Sequence, residues 1–129
     1  MMTDPIADML TNLRNAAKAR KPSVTVANSK VKKAIADIFL RLGFLEAVEV
    51  ASDAVNKLNL KIKYYGKEPA ITAVDRVSKP GHRVYRKHDE MPRVINDYGF
   101  AIVSTSAGIM TNKEAEENGL GGEIICSIY

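Results

Sequence analysis

"KLNLKIKYY", residues 57–65, sets the architecture. Leu58, Leu60, Ile62 and Tyr64 fall on one face, with Lys57, Lys61 and Lys63 on the other. Strict two-residue alternation marks a strand with one wet face, and such strands pair antiparallel. Upstream, "FLEAVEV" (44–50) reads as a second strand, joined to the first by a turn in "ASDAVN" (51–56). Before it, Val31, Ala34, Ile35, Ile38, Phe39 and Leu42 recur at helical spacing. Asn28 is placed to cap that helix and Gly43 to end it. "SVTVA" (23–27) is a short strand. Asp4-Pro5 opens a first helix with Ile6, Met9, Leu10, Leu13 and Ala17 as its apolar stripe, running to about Ala19. The first half therefore reads α-β-α-β-β.

Downstream, "GKEP" (66–69) is the candidate linker. "AITAVDRV" (70–77) and "HRVYRK" (82–87) read as a hairpin around the turn "SKPG" (78–81). "MPRVINDYG" (91–99) reads as a short helical turn, and "FAIVS" (100–104) as a strand. "TNKE" (111–114) is a capping box that opens a short helix ending at Asn118-Gly119. "LGGEIICSIY" (120–129) supplies a turn and a closing strand. The expected fold class is α+β, with two small α/β domains in tight contact. Residues 1–66 form the N-terminal domain; residues 67–129 form a mostly antiparallel β domain with a short helix.

The 129 residues carry 19 Lys and Arg against 15 Asp and Glu, a net charge of +4. Its distribution says more than its size. Arg14, Lys18, Arg20, Lys21, Lys30, Lys32 and Lys33 crowd residues 14–33 without an acid, and Arg76, Lys79, Arg83, Arg86 and Lys87 crowd 76–87. The C-terminal stretch carries Glu114, Glu116, Glu117 and Glu123 against Lys113 alone. Such polarity is the footprint of a polyanion binder, with solvated surface as the plainer reading.

Enzyme chemistry finds no constellation. A serine nucleophile needs a base, and His82 and His88 are the only histidines. Phosphate-binding glycine loops and a nucleophile elbow are absent. One Cys and two isolated His make no usual zinc site, so neither metal nor cofactor is expected. Cys126, in "EIICSIY", reads as a small core residue in a reducing compartment. With no signal peptide and no membrane-length apolar run, a cytoplasmic protein is expected.

Three places break local rules. "NSKVKKA" (28–34) puts Lys30, Lys32 and Lys33 at a helix start, where cations each cost about 0.3–1 kcal/mol, with only Asp37 nearby as relief. A bound phosphate would turn that cost into a gain; a solvated start that tolerates it is the other reading. "HRVYRKH" (82–88) puts Arg83, Tyr85 and Lys87 on one strand face, a surface for ribose and phosphate or an edge strand guarded by charge. "IVSTSAG" (102–108) follows a buried strand with Ser104, Thr105 and Ser106. Hydroxyls on a tight turn suit phosphate oxygens, ribose 2′-hydroxyls and base edges in a shallow RNA minor groove, and Gly108 permits close approach. Glu123 falls either beside that turn, as an acceptor, or on an exposed strand.

"DPIADMLTNLRNA", "SKPGHRVY", "AIVSTSAGIMT" and "GLGGEIIC" together resemble the bacterial-type ribosomal protein S-eight family of the small subunit. The likeness runs in order from Asp4 to the C-terminus. It implies two small α/β domains, primary binding to the central domain of small-subunit ribosomal RNA and a role in assembling the subunit platform. Neighbouring ribosomal proteins are implied partners, and so is the messenger RNA of its own operon, which many members repress. It implies that Ser104, Thr105 and Ser106 enter the RNA minor groove, with Tyr85 and Glu123 beside them. Arg14, Asn15, Ser29 and Lys30 would face RNA backbone. His82, Ala107 in place of a frequent Lys or Arg, and "NDYGFA" depart from the family pattern. The expectation is an RNA-binding ribosomal protein, monomeric when free and bound to a structured stem. A phosphate-handling enzyme and a general RNA chaperone are the rival classes.

Overall fold

The computed structural model describes residues 4–51, 56–96 and 98–129. The chain divides into two compact units, Ile6–Thr72 and Ala73–Tyr129, the latter including Asp4 and Pro5. The expected border at 66/67 falls inside the turn of a small ribbon, which keeps residues up to Thr72 with the N-terminal unit.

The N-terminal unit runs α1 (Pro5–Lys18), β1 (Ser23–Ala27), α2 (Lys30–Arg41), β2 (Leu45–Val50), β3 (Lys57–Ile62), β4 (Tyr64–Tyr65) and β5 (Glu68–Pro69). The alternating strand β3 lies centrally in an antiparallel sheet of order β1-β3-β2. Its Leu58, Leu60 and Ile62 are fully buried. The alternation stops at Lys63, so Tyr64 belongs not to this strand but to the β4–β5 ribbon. The turn expected in "ASDAVN" falls at residues 52–55, outside the described ones.

α1 buries Met9, Leu10, Leu13, Ala16 and Ala17, leaving Thr11, Arg14, Asn15 and Lys18 exposed. α2 is capped by Ser29, whose hydroxyl accepts from the Lys32 amide at 3.2 Å; Asn28 is not the cap. Gly43 closes the helix at φ +88°, a left-handed conformation suited to glycine. α2 packs on β2 through a face rotated from the expected stripe. Val31 is exposed and Lys32 is buried with Ile35, Ala36, Ile38 and Phe39. A lysine's four-carbon stem covers apolar surface as a hydrophobe would.

The C-terminal unit runs β6 (Val74–Arg76), β7 (Tyr85–Arg86), a 3-10 turn (His88–Glu90), β8 (Phe100–Thr105), β9 (Gly108–Thr111), α3 (Asn112–Glu117) and β10 (Gly122–Ile128). Its sheet has the order β6-β10-β8-β9, with β7 also on β10, and every pairing is antiparallel. The hairpin expected between "AITAVDRV" and "HRVYRK" does not form. β6 and β7 instead follow each other along one edge of β10, pairing with Cys126–Ile128 and Gly122–Glu123. Between them the chain loops out through Pro80-Gly81, closed by mutual backbone bonds of Lys79 and His82 at 3.0 and 2.9 Å. Buried Ser78 holds the neck of this loop: its hydroxyl accepts from the Val84 amide at 2.8 Å.

Among residues 91–96 and 98–99 no helix forms: 91–93 are irregular and 94–96 and 98–99 bend and turn, with Ile95 and Asn96 at positive φ; Asp97 lies outside the described residues. α3 carries the expected capping box of Thr111 and Glu114. Ala101, Val103, Ala115 and Ile124 form a core cluster, backed by Val77, Val84, Met91, Val94 and Met110. Buried Asn112 ties the unit together, accepting from the Ala101 amide at 3.0 Å and donating to the Pro92 carbonyl at 2.8 Å.

Candidate nucleic-acid interface

The hydroxyl stretch forms a two-residue hairpin turn. Ser104 pairs with Ile109 and Thr105 with Gly108, leaving Ser106 and Ala107 at the tip. Gly108 sits at φ +122°, which a side chain rarely adopts. The Thr105 hydroxyl is committed to the turn: it accepts from the Ala107 amide at 3.1 Å and donates to the Gly108 carbonyl at 2.7 Å. The hydroxyls of Ser104 and Ser106 have no hydrogen-bond partner among the described residues. Ser106 is exposed and Ser104 half-buried.

Across the sheet, Glu123 of β10 stands opposite Ser104 of β8 on one side and Tyr85 of β7 on the other. Directly paired residues share a sheet face. Ser104, Glu123 and Tyr85 therefore form a row across three strands. Tyr85 is 63% exposed. Arg83 completes the row, its Nη1 donating to Glu123 Oε2 at 3.1 Å, which partly neutralises the carboxylate. Lys87 lies one residue past β7, exposed at the start of the 3-10 turn.

The close strand approach needs two glycines. A Cβ on Gly122 would fall on the Ser104 carbonyl oxygen, and one on Gly121 would lie 2.7 Å from the Arg86 carbonyl oxygen. The spelling "GLGGE" is a glycine turn to sequence reasoning; the structure gives its second and third glycines the task of fitting β10 between β7 and β8. Sequence reasoning left Glu123's place open and missed its ion pair with Arg83. The signal available was the complementary charge of two residues beside turns.

The N-terminal candidates are in the other unit. Ser29 is exposed, but its hydroxyl is occupied by the α2 cap. Lys30 is exposed and has no acidic partner among the described residues, and the first turn of α2 has no acid. Lys33 binds Asp37 at 2.9 Å, the local relief expected from that residue. A cleft of about 490 Å³ beside them is lined by Asn28, Ser29, Lys30 and Lys33. Arg14 and Asn15 are exposed on α1, and Asn15 borders a separate cleft that also includes Lys21, Ser23 and Thr25.

Cys126 is fully buried, and burial pushes its thiol up to about 12 against a weaker opposing pull from Arg76. Such a thiol neither attacks nor ligates at neutral pH. Among the described residues no group of His, Cys, Asp and Glu is arranged to hold a metal, and no helix is long and apolar enough to cross a membrane.

The family model described as Ribosomal protein S8 matches residues 4–129. The chain is 55% identical to the small ribosomal subunit protein uS8 of Caldanaerobacter subterraneus subsp. tengcongensis, covering 100% of this chain and 99% of that protein. It is 52% identical to uS8 of Clostridium novyi, with the same coverage. With a match over both units and identity above half to such relatives, the chain belongs to the ribosomal protein S8 family, whose members are structural components of the ribosome rather than enzymes.

Proposed function

We propose that this ribosomal protein, a structural constituent of the small subunit in the cytoplasm, is a primary binder of the central domain of small-subunit ribosomal RNA. The C-terminal unit is the recognition domain. The Ser104 and Ser106 hydroxyls read the shallow minor groove of a structured stem, whose base edges and 2′-hydroxyls are reached by short donors and acceptors. Glu123, screened by Arg83, accepts from a hydroxyl or a base amino group, and Tyr85 packs on ribose. Lys87, Arg14, Asn15, Ser29 and Lys30 contribute backbone contacts, which supply affinity more than sequence preference. By this binding the protein, a monomer when free, helps assemble the subunit platform beside neighbouring ribosomal proteins. The same surface represses its own operon by taking a similar stem in the messenger RNA.

The observation that carries this reading is the row of half-buried Ser104, half-buried Glu123 and exposed Tyr85 across three strands, beside a turn where the Ser104 and Ser106 hydroxyls are unpartnered. Ala107 is exposed at the tip, while Cys126 is buried, so Ala107→Cys creates one accessible thiol. A hydroxyl-radical source tethered there should cut a central-domain stem on both strands across one minor groove. Cuts spread evenly along the RNA, or confined to single-stranded segments, would refute the reading.

A further inference from the structure

The ribbon β4–β5 presents a feature that the proposed stem contact does not use. Tyr65 is 65% exposed at its tip, and Lys63 Nζ lies 5.5 Å from the ring centroid. An exposed two-residue ribbon is ordinarily a weak platform, since isolated short hairpins are marginal in water. This one is braced from the α1–β1 connection. Arg20, at φ +58°, donates through Nε to the Lys67 carbonyl at 3.0 Å and through Nη2 to Glu68 Oε1 at 3.3 Å. The Tyr64 hydroxyl donates to the Lys21 carbonyl. A further backbone bond joins Ala70 to Lys63 at 2.9 Å.

The charge on the ribbon and on the segment that braces it is one-sided. Lys63 and Lys67 flank the tip, and Lys18, Arg20 and Lys21 are exposed at the end of α1. Glu68 is the only acid between Lys63 and Pro69, and Arg20 already pairs with it. On the Tyr64 side of the ribbon, a cleft of about 350 Å³ is lined by Arg20, Pro22, Tyr64, Gly66 and Lys67.

We infer that this ribbon is a second RNA site, in which an unpaired base stacks on Tyr65 while Lys63 and Lys67 face its flanking phosphates. An aromatic platform among cations is how proteins hold unstacked nucleotides. Protein interfaces, by contrast, are depleted in lysine at their centres. The inference rests on ribosomal RNA being the partner, but not on the stem contact of the Ser104 turn.

The chain contains no tryptophan, so Tyr65→Trp installs a single reporter. Small-subunit RNA containing the central domain should quench its emission. A stacked base contributes about 1–3 kcal/mol, so Tyr65→Ala should weaken binding of that RNA about fivefold to 150-fold, with Tyr65→Phe near wild type. Binding of a minimal paired stem should be the same in all three. Repeating the quench with Ser104→Ala and Ser106→Ala added separates the two sites: quenching that persists while stem binding weakens supports both, whereas quenching that persists with stem binding unchanged supports the ribbon site and refutes the stem reading. Unquenched emission, wild-type affinity in Tyr65→Ala, or quenching by a neighbouring protein and not by RNA overturns the inference.

Discussion

Ser104, Thr105 and Ser106 are chemically alike, yet the structure predicts that their replacements fail differently. Thr105 spends its hydroxyl inside the turn, in bonds of 3.1 and 2.7 Å. The other two hydroxyls are unpartnered. A hydrogen bond contributes about 0.5–1.5 kcal/mol net, so Ser104→Ala and Ser106→Ala should each weaken binding of the cognate stem about twofold to twelvefold. Neither loses a bond in the free protein, so the urea midpoint should stay at the wild-type value. Thr105→Ala should cost about 1 kcal/mol of stability, the lower end for two bonds because the turn is exposed. Its folded fraction should still bind, with discrimination against a random duplex largely kept. Filter binding at fixed salt, on the cognate stem and a random duplex, with a urea melt of each variant, reads both quantities. If Thr105→Ala lost as much affinity as Ser104→Ala with its midpoint unmoved, the division of labour would be wrong.

Lys30 and Lys33 should separate by salt. Removing unpaired Lys30 should lower the slope of log K against log salt by roughly one phosphate contact, while Lys33→Gln, whose ammonium is held by Asp37, should change it less; equal slopes would refute the distinction. Gly122→Ala should lower the denaturation midpoint, because overpacking of this kind costs about 1–3 kcal/mol, and should weaken stem binding by displacing Ser104. A stable variant with wild-type affinity would show that β8 and β10 tolerate separation. Burial raises the Cys126 thiol from 9.0 to about 12, so the folded state holds a proton that the unfolded state releases. Stability should therefore fall as pH rises from about 9 toward 12, and Cys126→Ser should lessen that fall. A thiol reagent that modifies the native protein readily at pH 8 would contradict this burial.

Much of this molecule is legible from periodicity. Leu58, Leu60 and Ile62 announce a half-buried strand, and the "TNKE" capping box states the start of α3. What escaped is mostly settled by partners distant in sequence. "HRVYRK" has the composition of a hairpin strand, but β10 offers an edge long enough for both β6 and β7, and the Ser78 hydroxyl closes the loop between them. The expected α2 stripe holds at Ile35, Ile38 and Phe39 but not at Val31, and Lys32 counts as polar in any pattern although its stem buries. Of the site, the hydroxyls and Tyr85 were visible as residue types. Their alignment with Glu123 is a matter of register, which no local pattern encodes.

Thr111 ends β9 and caps α3 in the same residue, and Asn112 next to it is fastened to Ala101 and Pro92. The arm bearing the hydroxyl turn is thus anchored at both roots before any ligand arrives. Little freedom is left to surrender on docking, so complex formation should proceed almost as a rigid fit, with most of the conformational adjustment falling on the RNA.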